Sequence, residues 1–198
     1  MQILDQLVND KCALYNGDCV EVMNMIPADS VGYSIFSPPY SNLYAYSNSE
    51  RDIGNCRSDA EFFAHFDYVI DGLMRIMMPG RNVSVDCMNL PAMKSRDGYI
   101  GLKDFRGALI AAFIKRGFIY HSEHIIWKDP LIEATRTKAI GLMHKQLCKD
   151  SALSRAGLPQ YLITFRKPGE NKSPVAHEHG LTEFILSLIH ISEPTRPY

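Results

Sequence analysis

Val31-Gly32-Tyr33-Ser34-Ile35-Phe36-Ser37-Pro38-Pro39-Tyr40 is the stretch that decides how this 198-residue chain is read. Six residues rich in strand formers run into two consecutive prolines, so the strand ends in a rigid loop. Each proline holds φ near about −65° and lacks an N–H, and Pro39 pushes Pro38 into an extended conformation. The carbonyls of such a loop are not taken up by a helix and stand ready as acceptors. Upstream, Ala13-Leu14-Tyr15 meets the turn signal Asn16-Gly17-Asp18, after which Val20, Met23, Met25 and Ile26 approximate a helical period until Pro27. Strand, helix, strand and loop is the order of a parallel βαβ unit holding something at the carboxyl end of a strand.

Downstream the alternation continues. Residues 41–57 form a polar, tyrosine-bearing stretch without period, read as a long functional loop. Ser58 is a helix N-cap with Glu61 completing a capping box. Phe62, Phe63, Phe66, Val69, Ile70, Leu73, Ile76 and Met77 extend an apolar stripe to Pro79-Gly80. A strand over residues 81–88, a helix over 102–115 closed by Arg116-Gly117-Phe118, and strands over 119–127 and 161–165 follow. The pattern predicts an α/β fold.

Composition sets the bounds. With 46% hydrophobic residues the chain is not intrinsically disordered, and at 198 residues it is one domain's worth of sequence. No run approaches the roughly 18 apolar residues of a membrane span, and residues 1–11 lack the layout of a secretory signal, so a cytoplasmic protein is expected. Five scattered cysteines, Cys12, Cys19, Cys56, Cys87 and Cys148, suggest reduced thiols rather than disulfides or a CxxC zinc site. His65, His121, His124 and His144 lack metal-ligand spacing, and no metal is expected. A formal charge of −1 does not exclude a nucleic-acid partner, because the local field decides. Between Glu133 and Arg155, Arg136, Lys138, Lys145, Lys149 and Arg155 face only two acids. This stretch is read either as a DNA-phosphate contact or as a solvated helix face.

The Ser37 to Tyr40 loop suits a planar base. Ser37 Oγ and the Pro38 carbonyl can together accept both hydrogens of one exocyclic amine, while Tyr40 stacks on the ring. The lone pair of such an amine is delocalised and becomes nucleophilic only on pyramidalisation, which two fixed acceptors favour. A base inside a duplex cannot reach the loop, so the target nucleotide has to be flipped out.

Ser37-Pro38-Pro39-Tyr40 after a strand, with Asn16-Gly17-Asp18 upstream, resembles the amino-methyltransferases that modify DNA bases with S-adenosylmethionine. Arg75-Ile76-Met77-Met78-Pro79-Gly80-Arg81, Ile125-Ile126-Trp127-Lys128-Asp129-Pro130 and residues 161–169 resemble later segments of that family's β-type motif order. Arg51-Asp52-Ile53-Gly54-Asn55-Cys56 and Arg96-Asp97-Gly98-Tyr99-Ile100-Gly101 are similar to the site-specific enzymes common in phage genomes. The resemblance implies a Rossmann-like class I methyltransferase sheet. It also implies S-adenosylmethionine as cofactor with Asp18 at its rim, and a catalytic loop of Ser37, Pro38, Pro39 and Tyr40. Double-stranded DNA is the implied partner, with Tyr44, Tyr46, Arg51 and Arg57 along the path of the extruded strand, or simply in a solvated loop. Serine in the first position favours cytosine N4 over adenine N6, with both left open.

The chain departs from that family where the cofactor half should follow. No Phe-x-Gly-x-Gly motif occurs, so the sheet is expected to be incomplete, its catalytic half present and its glycine-rich half missing. Residues 186–196 (Leu-Ser-Leu-Ile-His-Ile-Ser-Glu-Pro-Thr-Arg) resemble a translated sequencing adapter. The expected organisation is a catalytic part over 1–170 with a possible DNA-contact insert at 133–155, a truncated linker over 171–185 and a non-native tail over 186–198. A non-catalytic DNA-binding fragment is the alternative for a chain so truncated.

Overall fold

The computed structural model describes residues 3–41, 44–92, 94–130, 132 and 158–176. Its centre is a four-stranded mixed sheet in the order β3-β4-β8-β7, formed by β3 (Val31–Phe36), β4 (Met77–Cys87), β7 (Ile119–Ile126) and β8 (Gln160–Arg166). β3 and β4 are parallel, and β8 runs antiparallel to both of its neighbours. The crossover between the parallel strands is α2 (Asp59–Ile76).

Two periodicities meet in the core. α2 buries Phe62, Phe66, Ile70, Leu73 and Ile76, one helical face. β4 and β8 turn Val83, Val85, Ile163 and Phe165 inward, all fully buried, with Val83 opposite Phe165 and Val85 opposite Ile163. Each such side chain contributes roughly 1.5–3 kcal/mol by leaving water. α4 (Phe105–Lys115) adds Leu109 and Phe113, and the Phe113 ring stacks on Phe165 with centroids 4.0 Å apart. The alternate positions of the sheet carry a chain of hydroxyls: Tyr33 Oη donates to Ser84 Oγ at 2.8 Å, and Ser84 lies 3.0 Å from Thr164 Oγ1.

Helix ends follow local chemistry. Ser58 Oγ accepts from the Glu61 N–H, as the capping-box spacing predicts, while the Glu61 carboxylate returns to the Arg57 N–H at 2.7 Å. α4 starts from Asp104, whose carboxylate accepts from the Gly107 N–H; a Cβ at Gly107 would sit 2.2 Å from that carboxylate. It ends in a Schellman turn. Phe118 N–H bonds the Phe113 carbonyl, Gly117 N–H bonds the Ile114 carbonyl, and Gly117 takes φ +92°. Arg116 then ties α4 to α2 through Asp67 and Asp71.

Three expectations need correction. The βαβ unit expected over residues 12–40 is not one: β2 (Ala13–Asn16) pairs antiparallel with β1 (Asp5–Val8) in a separate ribbon. The intervening α1 (Cys19–Met25) is only seven residues long, and its carboxyl end is held by α2, since Arg75 donates to the Met23 and Ile26 carbonyls. The helix therefore packs on another helix, and the parallel unit is β3-α2-β4. The stripe expected to run to Pro79-Gly80 stops at Ile76. β4 begins at Met77 and passes through Gly80, whose φ of +72° no bulkier residue adopts easily. The residues at 102–103, expected to be helical, form β6 (Gly101–Lys103), which pairs with β5 (Leu90–Ala92) around the short α3 (Lys94–Asp97).

Among the described residues no helix is long and apolar enough to cross a membrane. The expected linker and tail beyond residue 176, and the whole stretch over 133–155, lie outside the described residues.

Because Phe113 touches α2, β8 and the turn after α4, Phe113→Ala should lower stability by about 3–5 kcal/mol, read from urea unfolding monitored by circular dichroism.

Candidate active site

The loop Ser37-Pro38-Pro39-Tyr40 leaves the carboxyl end of β3, beside the carboxyl end of the parallel β4. The first three residues line a cleft of about 1370 Å³ that also takes in Asn16, Gly17, Asp18, Glu21, residues of the 47–57 loop and the first turns of α2. The strand pleat explains what faces what. Phe36 points inward with Val85, so Ser37 emerges on the opposite face, where Asp86 also lies.

Ser37 and Asp86 meet. Ser37 Oγ lies 3.0 Å from the Asp86 carbonyl and 3.3 Å from its Oδ2 and donates its hydrogen there. Gln160 Nε2 donates to the same Oδ2 at 3.2 Å, and the other oxygen, Oδ1, is buried with no hydrogen-bond partner among the described residues. With its hydrogen directed to Asp86, Ser37 Oγ keeps its lone pairs for a donor in the cleft. The Pro38 carbonyl accepts no hydrogen bond among the described residues, whereas the Pro39 carbonyl takes the Ser41 N–H. Sequence reasoning missed Asp86; its one signal was a carboxylate among the alternating valines at the end of a strand. Next to it, burial and the Asp86 charge push the Cys87 thiol up to about 12, which leaves it inert.

Tyr40 is half-buried, with its ring edge-on to Phe105 at 6.2 Å. The loop ends at Ser41, fully buried with φ +50°, whose hydroxyl donates to Asp59 Oδ1 at 2.5 Å. Lys103 bridges Asp59 and Asp97, so this turn is anchored to α2 and to the β5-β6 hairpin.

Asp18 serves as N-cap of α1, Oδ1 accepting from the Val20 N–H at 2.9 Å, and it lines the cleft. Arg51 reaches across from the loop to Glu21 and to Asp18, and these acids raise the pKa of its guanidinium. Thus Arg51 clasps the rim of the cleft instead of standing free. Tyr44 and Tyr46 are exposed and lie edge to face, and Arg57 is exposed at the cleft wall. Arg136, Lys138, Lys145, Lys149 and Arg155 lie outside the described residues.

The loop itself is stitched by Asp52. One of its oxygens accepts from the Tyr46 and Ser47 N–H groups and the other from the Gly54 N–H. Gly54 is required there, since a Cβ would lie 2.4 Å from the Tyr44 carbonyl. Burial acts to raise the Asp52 pKa, but the three N–H bonds prevail and hold it below the usual carboxylate range. Nearby, Cys56, Glu61 and His65 bring their ligand atoms within 4.8 Å of one another, a grouping that histidine spacing did not reveal.

No protein-family model matches the chain, and no curated protein matches it. Solved structures do. A Thermus thermophilus protein assigned as a DNA modification methylase, in complex with S-adenosyl-L-methionine, is similar over 85% of this chain and 59% of its own, at 19% identity and a TM-score of 0.59. Its selenomethionine derivative gives 80%, 54%, 19% and 0.55. PvuII DNA methyltransferase (cytosine-N4-specific) aligns over 92% of this chain and 64% of its own at 15% identity, with a TM-score of 0.48. At these identities the likeness is one of fold: the chain has the α/β, Rossmann-like fold of class I methyltransferases. It spans 54–59% of the length of the Thermus protein.

The Asp52 geometry sets a pH dependence. A carboxylate whose folded pKa is lowered contributes stability above its unfolded value, and that contribution is lost as pH falls through the folded one. Amide exchange at Tyr46, Ser47 and Gly54 should therefore accelerate relative to the sheet on acidification below the ordinary carboxylate range. In Asp52→Ala it should be fast already at neutral pH.

Proposed function

We propose that this chain carries the catalytic part of an S-adenosylmethionine-dependent DNA amino-methyltransferase acting on an exocyclic base amine, with cytosine N4 favoured over adenine N6. The single observation that supports it most is the Ser37-Asp86 pair at the carboxyl ends of two parallel strands, beside an unused Pro38 carbonyl and a large cleft.

The cleft suits the cofactor in volume, and among its lining residues Asp18, Glu21, Glu50, Asp52 and Glu61 outnumber Arg51 and Arg57, a net acidic lining for a cationic ligand. Asp18 and the Asn16-Gly17 turn would hold it at the rim. When bound, S-adenosylmethionine supplies a methyl group activated by its sulfonium. The residues of this chain do the positioning. Ser37 Oγ and the Pro38 carbonyl each accept one amine hydrogen, which favours the pyramidal nitrogen and aims its lone pair along the line of attack. As the nitrogen gains the methyl it must lose a proton, and Asp86 Oδ2, 3.3 Å from Ser37 Oγ, receives it through the Ser37 hydroxyl. Tyr40, its ring packed edge-on to Phe105, would stack on the base's face. Tyr44, Tyr46 and Arg57 follow as contacts to the extruded strand, and the basic residues 136, 138, 145, 149 and 155 as phosphate contacts. The base is reached by flipping. Arg51, proposed with them along the extruded strand, also pairs with Glu21 and Asp18 and so ties the loop to the rim of the cleft.

The test is transfer of labelled methyl from S-adenosylmethionine to mixed-sequence duplex DNA, followed by nucleoside analysis. It is run with this chain and, because the chain spans little more than half of the similar structures, with a version extended at its carboxyl end. Label in N4-methylcytosine is the expected result; label in N6-methyladenine would change the base. A version that folds and binds DNA yet labels no nucleoside would leave a DNA-binding module in place of an enzyme. In the active version, Ser37→Ala and Asp86→Asn should each lower kcat by about 10²–10⁴-fold, the range for a lost proton-transfer partner. Asp86→Asn should also leave KM nearly unchanged.

A further inference from the structure

Cys56, at the end of the 44–57 loop, faces Glu61 and His65, which lie one turn apart on α2. The thiol sulfur, a carboxylate oxygen and a ring nitrogen all lie within 4.8 Å of one another. The capping box accounts for one Glu61 oxygen, Oε2, which bonds the Arg57 N–H. It accounts for neither Cys56 nor His65. Cys56 is 7% exposed, and its thiol has no hydrogen-bond partner among the described residues. A buried, unpartnered sulfur aimed at an imidazole and a spare carboxylate oxygen is an incomplete coordination sphere.

We propose that Cys56, Glu61 and His65 bind a divalent cation of the zinc class, its fourth position open to the cleft that all three residues line. The donor set selects the metal: thiolate with imidazole suits zinc or cobalt, while calcium and magnesium take oxygen ligands. Bonds of about 2.0–2.3 Å require tetrahedral ligand atoms roughly 3.3–3.8 Å apart, so a side-chain adjustment of about 1 Å completes the set. Binding exchanges the thiol proton for the metal, the proton passing to the buffer. The ion staples the loop to α2 in the cleft that Ser37, Pro38 and Pro39 also line, while Arg51 ties the same loop to Glu21 of α1. The site opens onto the same cleft as the methyltransferase reading but does not depend on that reading.

Cobalt(II) is the probe, titrated into the full-length, metal-stripped chain at neutral pH. A C12S/C19S/C148S background leaves Cys56 and the fully buried Cys87. We expect one equivalent to bind, with a thiolate-to-cobalt charge-transfer band, intense tetrahedral d–d bands and displacement by zinc. The near-isosteric Cys56→Ser should abolish the charge-transfer band, and His65→Ala should weaken binding by more than the 10–100-fold typical of an outer-shell change. Glu61→Gln keeps the helix cap and should weaken binding while leaving far-ultraviolet circular dichroism unchanged. No cobalt bound by the folded parent chain, or a charge-transfer band that survives Cys56→Ser, would overturn the proposal.

Discussion

The burial of one face of α2 against the sheet is the constraint on which the rest of this structure depends. Phe62, Phe66 and Ile70 meet the inward side chains of β4 and β8, with Phe113 of α4 closing the cluster. That contact fixes both ends of an 18-residue helix at once. At its start, Asp59 holds the Ser41 hydroxyl, and Glu61 and His65 are set beside Cys56. At its finish, Arg75 caps α1, and the chain enters β4, whose carboxyl end delivers Asp86.

The site follows from the alternation of a strand. One residue per strand decides it: Val85 is in the core and Phe36 packs against it, so Ser37 and Asp86, each one position further, emerge together on the other face. Parallel pairing brings both to the same end of the sheet, where the chain must leave each strand and no ladder consumes the loop's carbonyls. The prolines keep the turn rigid, and Ser41, buried in a left-handed conformation, anchors its exit through Asp59 and Lys103. A cleft walled by this turn, by α1 and by the Asp52-stitched loop can orient a polar group with little reorganisation.

Much of this was legible in the chain. The aromatic stripe of α2, its Ser58 and Glu61 cap, the Arg116-Gly117-Phe118 stop and the strand running into Ser37-Pro38-Pro39 are local patterns, decided by neighbours within a few residues. The partner of Ala13–Asn16 was not legible, because strand pairing is a non-local choice and a seven-residue α1 can lie on a helix as readily as across a sheet. Nor was the part of Arg51: in sequence it is one basic residue in a polar loop, and only the fold sets it against Asp18 and Glu21, 33 and 30 positions away.

By itself, then, the sequence determined the alternation of helices and strands, the rigid acceptor turn and the apolar faces that meet in the core, since each is set by short-range sterics, hydrogen bonding and periodicity. Only the tertiary structure decided which acids face which groups. Asp86 against Ser37 joins positions 49 apart, and Lys103 against Asp59 joins positions 44 apart. Asp52 turned inward to its own loop, and Cys56 was brought to His65. Such pairings depend on the direction each side chain takes once the sheet and α2 have packed, and no periodicity along the chain encodes that direction.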